Sequence, residues 1–387
     1  MADSALAPKL RLAVQAGLLL AVAALAYGAT TNAADKLARQ GIVAGFGFLR
    51  RAAGFDISQT LIPYAAATAT YGEAILVGLL NTLLVASLGI VLATILGFVV
   101  GIARRSPNAL ARGLAATYVE TLRNLPLLLQ LLVWYVAVRV VLPPALEPAV
   151  FAEGAFLTQR GLFLPRPDFS GTGWLVPAAF LLGIGATLIL ARLSRRRIEA
   201  GRTPLPVLAA GSGLILGLPA LAWIGLALAG RVIPIAFPAR GPYDIEGGLA
   251  VQPEFAALLI GLSTYSAAFI AEIVRAGLDS VARGQEEAAQ ALGLNRAQRL
   301  RLVVVPQAMR VIVPPLTSQY LSLTKNSSLG VLIGYPDLVH VTMGTVLNQT
   351  NQAVEAVAIT MGIYLALSLV TSVAMNLYNR RVALVER

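Results

Sequence analysis

The chain has 387 residues, 57% of them hydrophobic and only 13% charged, with a formal net charge of +11. Soluble domains carry about a quarter charged residues, so this composition excludes the roughly two or three soluble domains that length alone would suggest. With no cysteine and a single histidine, His340, disulfides, thiol nucleophiles, cysteine zinc sites and histidine metal clusters are excluded as well.

A membrane-spanning helix needs about 20 mostly apolar residues. In chain order, eight segments meet or approach that length: Leu10–Ala29, Ala74–Gly101, Thr117–Leu142, Trp174–Ala191, Leu205–Gly230, Phe255–Ile273, Val311–Gly334 and Ala353–Tyr378. Gly and Pro interrupt several of them, which membrane helices tolerate better than soluble ones. The expected fold is an all-α polytopic membrane protein with about eight transmembrane helices. The first segment has two readings, a cleaved secretory signal peptide or an uncleaved anchor; the topology that follows is the same for both.

Threaded with both termini inside, the chain sorts its basic residues. Arg104, Arg105, Arg112 and Arg123, the run from Arg192 to Arg202, and the arginines from Arg275 to Arg310 fall inside with Lys9, Arg11, Arg380, Arg381 and Arg387. The outside segments are longer and hold fewer, among them Lys36, Arg50, Arg51, Arg139, Arg160 and Arg240. This is the positive-inside pattern. It explains the net charge without nucleic acid, for which no compact basic domain exists.

Thr30–Tyr71 reads as an outside segment rich in Gly and aromatic residues, lying along the membrane surface or packed on the spans. Pro143–Gly173 and Arg231–Glu254 are Pro-rich outside loops flanking a helical hairpin, Trp174–Gly230. The hairpin's inside turn carries Arg192-Leu-Ser-Arg-Arg-Arg, read as a topology determinant with anionic-lipid binding as the alternative.

The inside loop between the sixth and seventh spans is long, polar and helix-patterned. Gln285, Glu286 and Glu287 place acids in a first turn, where they favour the helix dipole. Ala288, Ala289 and Ala291 have high helix propensity and little bulk, and Leu292 follows them. Gly293, before Leu294, is placed to end that helix as its C′ residue. Asn295 with Gln298 three residues on reads as an N-cap with a box partner, and Pro306 is expected to break the second helix. Two short helices joined by a tight turn fit a groove on a partner better than they fit lipid.

Glu287-Ala288-Ala289, Gly293 and Val303-Val304-Val305-Pro306 resemble the EAA loop of binding-protein-dependent ABC importer permeases, with valines where that family often has isoleucine and leucine. Gly78–Leu83, Glu120–Gln130, Tyr265–Arg275 and Leu323–Leu329 are similar to landmarks of its polar amino-acid uptake subfamily, and the additions to the core resemble the larger permease of general L-amino-acid uptake systems. The resemblance implies a type I importer core of five helices, supplied by the second, third, sixth, seventh and eighth spans. The first span and the hairpin are then additions. Residues 1–72 become an N-terminal anchor helix and periplasmic segment. Residues 73–378 become the transport domain, with 143–254 inserted and 276–310 as the cytoplasmic coupling loop.

The same resemblance implies a multi-pass protein of the bacterial inner membrane carrying L-amino acids by alternating access. Its partners would be a cytoplasmic ATPase dimer that binds ATP and Mg, a second related permease and a periplasmic amino-acid-binding protein. The chain is not expected to be an enzyme. A P-loop needs Gly-Lys followed by Ser or Thr, and none of Lys9, Lys36 and Lys325 follows a glycine.

Lys325 is an ionisable residue within a span, a functional-site hypothesis because burying charge in lipid is costly. With Asn326, Ser327 and Ser328 it faces either a substrate carboxylate or a polar helix-packing site. Asn81, Thr82, Gln130, Ser263 and Gln319 line a pathway or join helices by hydrogen bonds. Glu120 with Arg123, and Glu272 with Arg275, are i,i+3 pairs that gate the inside opening or act structurally. His340 is read as an exposed loop residue. A secondary transporter or channel, independent of an ATPase, is the rival function; it gives no reason for the loop at Glu287–Pro306. A membrane enzyme would need a catalytic constellation that the spans lack.

Overall fold

The computed structural model describes residues 13–18, 20–25, 27–29, 31–32, 36, 45–144, 147–152, 154–242 and 244–382. Lys9, Arg11, Arg39, Arg387 and parts of the first apolar segment lie outside the described residues. The described chain is mostly helical and divides into two compact units, residues 1–135 with 254–387, and residues 136–253. Among the described residues, six helices are long and apolar enough to cross a membrane, or up to seven if one bent pair is counted as a single span. Ala13–Ala29, within the first expected span, is a shorter apolar helix.

The first unit is organised around α1, Tyr71–Ala103. Its start is fixed by a capping box in which Thr70 and Glu73 satisfy each other's backbone amides. Two glycines on its C-terminal half let α6, Pro253–Asp279, approach closely. A Cβ at Gly97 would lie 2.5 Å from Ile270, and one at Gly101 would lie 2.7 Å from the Ala271 carbonyl. Small residues at a helix contact are how membrane helices pack without a hydrophobic driving force between them. Ala86, Ala93, Ile270, Val274, Ile312 and Leu323 form the buried core that α1 and α6 share with α9, Val305–Asn326.

The third expected span is not one helix. It consists of α2, Ala109–Asn124, and α3, Leu127–Val141, bent by 108°. The break is at Leu125-Pro126: proline disfavours the helical region for the residue before it, and Leu125 is extended at φ −94°, ψ 135°. The seventh span also begins earlier than expected. Arg296–Arg299 (α8) passes through a π-helical turn at Leu300–Val304 directly into α9, so Pro306 does not break the second loop helix. The Val305 amide reaches back five residues to the Leu300 carbonyl. That wider turn places Pro306 in the first turn of α9, where its missing N–H is not needed. Pro314 and Pro315 lie within α9. A 3-10 turn, Ser327–Ile333, follows and ends at Gly334 in the left-handed region, φ 82°. The last helix, α10, is Ala353–Val382.

Of the two readings of the segment before α1, packing is what is found from Gly45 onward. Phe48, Ala53 and Ile57 are buried in one cluster with Tyr71, Ala74, Val77, Leu338 and Val341. Glu355 of α10 accepts the Gly45 amide at 2.5 Å. His340 is half-buried in a helical stretch, His340–Val346, rather than exposed in a loop.

The second unit holds α4, Leu175–Glu199, and α5, Val207–Leu228, paired closely enough that a Cβ at Gly183 would meet the Leu214 carbonyl at 2.5 Å. The basic run Arg192–Arg197 continues α4 as helix, and the turn falls after it, at Gly201 (φ 68°). The Pro-rich loops carry short strands. Ala149–Ala152, Ala155–Thr158, Gly161–Leu164 and Leu249–Val251 form an antiparallel sheet in that order, and two small ribbons accompany it.

Candidate coupling and translocation site

The loop after α6 folds as two helices with both expected caps. α7 is Arg283–Ala291, starting two residues before Gln285. At its end the Gly293 amide bonds the Gln290 carbonyl at 2.9 Å and the Leu294 amide bonds the Ala289 carbonyl at 3.2 Å. This is a Schellman motif, and it needs the φ of 77° that Gly293 adopts. Asn295 then accepts from the Gln298 amide while Gln298 accepts from the Asn295 amide, both at 2.9 Å. The two caps fix the angle between α7 and α8, and Arg299 secures it by donating to Gln290 at 2.7 Å.

α7 shows two different faces. Ala289 is buried and Glu286 half-buried against the body of the unit. Gln285, Glu287, Ala288 and Gly293 are exposed, and Leu292 is 81% exposed. Leu292 thus projects beside small residues at the end of a rigidly capped helix. Behind α7 lies a charged cavity of about 470 Å³, lined by Arg105, Asp279, Arg283, Glu286, Glu287, Gln290 and Arg299. Pro306 belongs to α9, and its neighbour Gln307 reaches Gln285 at 3.4 Å.

Above the loop, a network of ion pairs joins the end of α6 to the end of α1 and to α2. Glu272 and Arg275 are paired at 2.5 Å, and Arg275 also binds Asp279 at 2.8 Å. Arg104, from the end of α1, is paired with Glu272, and Arg105 binds Asp279 at 3.0 Å. The expected Glu120–Arg123 pair is not among these contacts. Arg123 instead lies 3.9 Å from Glu272 and stacks 5.2 Å over the Phe269 ring, while Glu120 is exposed. Sequence spacing found the Glu272–Arg275 pair. It missed Arg104, Arg105 and Asp279, although Arg275 and Asp279 stand at the i,i+4 spacing that favours a pair.

Several residues expected on a translocation pathway join elements in this structure. Asn81 donates to the Gln59 and Pro336 carbonyls, each at 2.9 Å, and Thr82 accepts the Leu338 amide at 3.0 Å. Gln130 donates to the Leu122 and Leu125 carbonyls at 2.8 and 3.0 Å, tying α3 back across the Pro126 break. Ser263 is buried in α6 with its hydroxyl unpartnered among the described residues, and so is the hydroxyl of Thr317 on α9. Gln319 is half-buried on α9. Lys325 is exposed in the last turn of α9, Asn326 half-buried after it, and Ser327 and Ser328 donate to the Thr324 and Lys325 carbonyls at 2.8 and 2.7 Å.

The sequence pattern of the binding-protein-dependent transport system inner membrane component family matches residues 205–384. The chain is 48% identical over 364 residues to the putative amino-acid ABC transporter permease protein YhdX of Escherichia coli (strain K12), covering 92% of this chain and 90% of that protein. It is also 48% identical over 356 residues to the general L-amino acid transport system permease protein AapQ of Rhizobium johnstonii, covering 92% and 88%. A crystal structure of an amino acid ABC transporter with histidines is similar at 22% identity and a TM-score of 0.46, over 80% of this chain and 95% of that one. Relatives matched at this identity over nearly their whole length leave one conclusion: the chain belongs to the family of binding-protein-dependent transport system inner membrane components.

Proposed function

We propose that this chain is the permease subunit of an ATP-driven, binding-protein-dependent importer that moves L-amino acids across the bacterial inner membrane. The observation that carries this reading is α7: a short helix with exposed alanines and an exposed leucine at its C-terminal end, capped there and following directly on α6, whose end is ion-paired to α1. Such an element transmits a push from a partner into the spans. The near-full-length relatives named as amino-acid permeases support amino acids as the cargo.

In this mechanism a separate cytoplasmic ATPase dimer binds ATP and Mg and does the hydrolysis. α7 docks on it, and closure of the ATPase pair displaces α7 and α8. α6, which leads directly into the loop, takes up that displacement, its Arg105–Asp279 and Arg104–Glu272 pairs pass it to the end of α1, and the spans alternate between outward and inward openings. A second related permease completes the pathway, and a liganded periplasmic binding protein delivers the amino acid. Both termini are cytoplasmic in this arrangement. Lys325, Asn326, Ser327 and Ser328, with Asn81, Gln130, Ser263 and Gln319, are the pathway candidates.

The test is uptake of labelled amino acids into proteoliposomes holding this chain with its ATPase, second permease and binding protein. Uptake that needs ATP and the binding protein supports the reading. Uptake indifferent to ATP but driven by an ion gradient overturns it in favour of a secondary transporter.

A further inference from the structure

Asp337 takes no part in the mechanism above, yet it is the carboxylate with the most unusual surroundings. It is 0% exposed and lies in the stretch after Gly334, outside the spanning helices. Its Oδ1 accepts the His340 amide at 2.8 Å, at the start of the helical stretch His340–Val346. Its Oδ2 is buried without a hydrogen-bond partner. The stretch is pressed onto α1, since a Cβ at Gly78 would lie 3.0 Å from the Asp337 carbonyl and 3.1 Å from the Leu338 Cα.

Among the described residues, the surroundings contain polar groups but no positive charge to balance a carboxylate. α1 contributes Asn81, whose Oδ1 is also buried and unpartnered, and Thr82, whose hydroxyl is already used by Leu338 and Gly78. α10 contributes Tyr364, whose buried hydroxyl has no hydrogen-bond partner among the described residues. From the segment before α1 the Gln59 carbonyl reaches Asn81. Within its own stretch Tyr335 donates to the Asn81 carbonyl at 3.1 Å. The titratable groups that interact with Asp337 are thus the phenols Tyr335 and Tyr364. Burial raises the Tyr335 phenol and lowers the His340 imidazole, so neither is charged near neutral pH. An ionised Oδ2 here would be a buried, unpaired charge, which folded proteins avoid by neutralising the group.

We propose that Asp337 is a proton-binding site that locks residues 334–350 onto α1: the segment is held while Oδ2 carries a proton and is released when that proton leaves to water. With the proton in place Oδ2–H is a donor in a cluster that otherwise holds unpartnered acceptors. With the O–H bond broken, a bare charge stays buried unless the segment opens. Because α1 also runs from this cluster to the Arg104–Glu272 pair, the lock sits at the opposite end of the helix that the coupling loop moves.

The sign of the pH dependence follows from proton linkage. Burial pushes the packed carboxyl up to about 7 from an ordinary 3.8. Below the lower value both states are protonated, and opening does not depend on pH. Between the two the packed state holds more protons, so opening rises about tenfold per pH unit. Above the higher value both are ionised and opening levels off.

The test is hydrogen exchange of the full chain in lipid nanodiscs, following the Leu338, His340 and Val341 amides after correction for intrinsic exchange. Protection should fall about tenfold per pH unit between roughly pH 5 and 7 in the unaltered chain and in His340→Gln, and be flat in Asp337→Asn. Flat protection in the unaltered chain, the same fall in Asp337→Asn, or loss of the fall in His340→Gln would overturn the proposal. Where Asp337→Asn does not insert, infrared titration of the unaltered chain decides. A protonated-carboxyl band that disappears near neutral pH supports the lock, and no such band above about pH 6 contradicts it.

Discussion

Arg104, at the end of α1, is ion-paired with Glu272 on α6, 168 residues away in the chain. The pair sits where Gly97 and Gly101 bring the two helices together, directly above the loop that holds α7. Arg275 binds the same carboxylate, so Glu272 is the joint through which α1 and the end of α6, ahead of the α7–α8 loop, are fastened.

Replacing Glu272 with Gln should therefore both loosen the unit and weaken coupling. Hydrogen bonds to charged groups contribute about 1.5–3 kcal/mol. The Glu272 side chain is 26% exposed and Arg104 15%, so solvent reduces the expected loss to about 1–2 kcal/mol. A lower thermal midpoint in detergent is the readout. Glu120→Gln, at an exposed position, should leave the midpoint unchanged.

Gly101→Leu tests the close helix contact without touching a charge. Its Cβ alone would lie 2.7 Å from the Ala271 carbonyl and 2.8 Å from Val274, so α1 and α6 must separate. Overpacking of this kind costs about 1–3 kcal/mol, read as a lower midpoint. Gly113→Leu is the control, because nothing lies within 4 Å of a Cβ there.

Leu292 separates docking from folding. At 81% exposed, Leu292→Ser should shift the thermal midpoint by less than about 0.5 kcal/mol in stability terms. Co-purification of the ATPase should fall sharply. Retained co-purification would mean that the α7 face is not where the ATPase binds.

Asn295→Ala removes one half of the capping box and should cost about 1 kcal/mol locally. Faster proteolysis or hydrogen exchange at α8, with the spanning helices unaffected, is the expected result.

The loop was legible because its signals are local. Gly293 and the Asn295–Gln298 pair act within one turn, so spacing alone places both caps. Most spans were legible from their apolar length, although six or seven rather than eight reach spanning length among the described residues, and the closeness of α1 to α6 is hinted at by Gly97 and Gly101. Contacts between distant parts of the chain were not legible. Nothing near Glu120 or Arg123 in sequence says that Arg123 turns toward Glu272 and Phe269 instead of its helical neighbour. The break at Leu125-Pro126 was readable in principle, but the apolar stretch that runs on from Leu125 toward Leu142 masked it. Pro306 misled for the opposite reason: a π turn ahead of it absorbs the missing donor. The strands of the second unit are only two to four residues long, too short for an alternating pattern to show.

The most direct measurement of coupling is ATPase stimulation by the liganded binding protein in the reconstituted importer, comparing the unaltered chain with Gly293→Pro. Proline cannot adopt the φ of 77° found there and has no amide for the Gln290 carbonyl, so the joint between α7 and α8 is lost while the spans still insert. The account predicts that stimulation and amino-acid uptake disappear together in the variant, with the complex still assembled in the membrane. Stimulation and uptake at the unaltered level would contradict it, because the loop would then carry no signal between the ATPase and the spans.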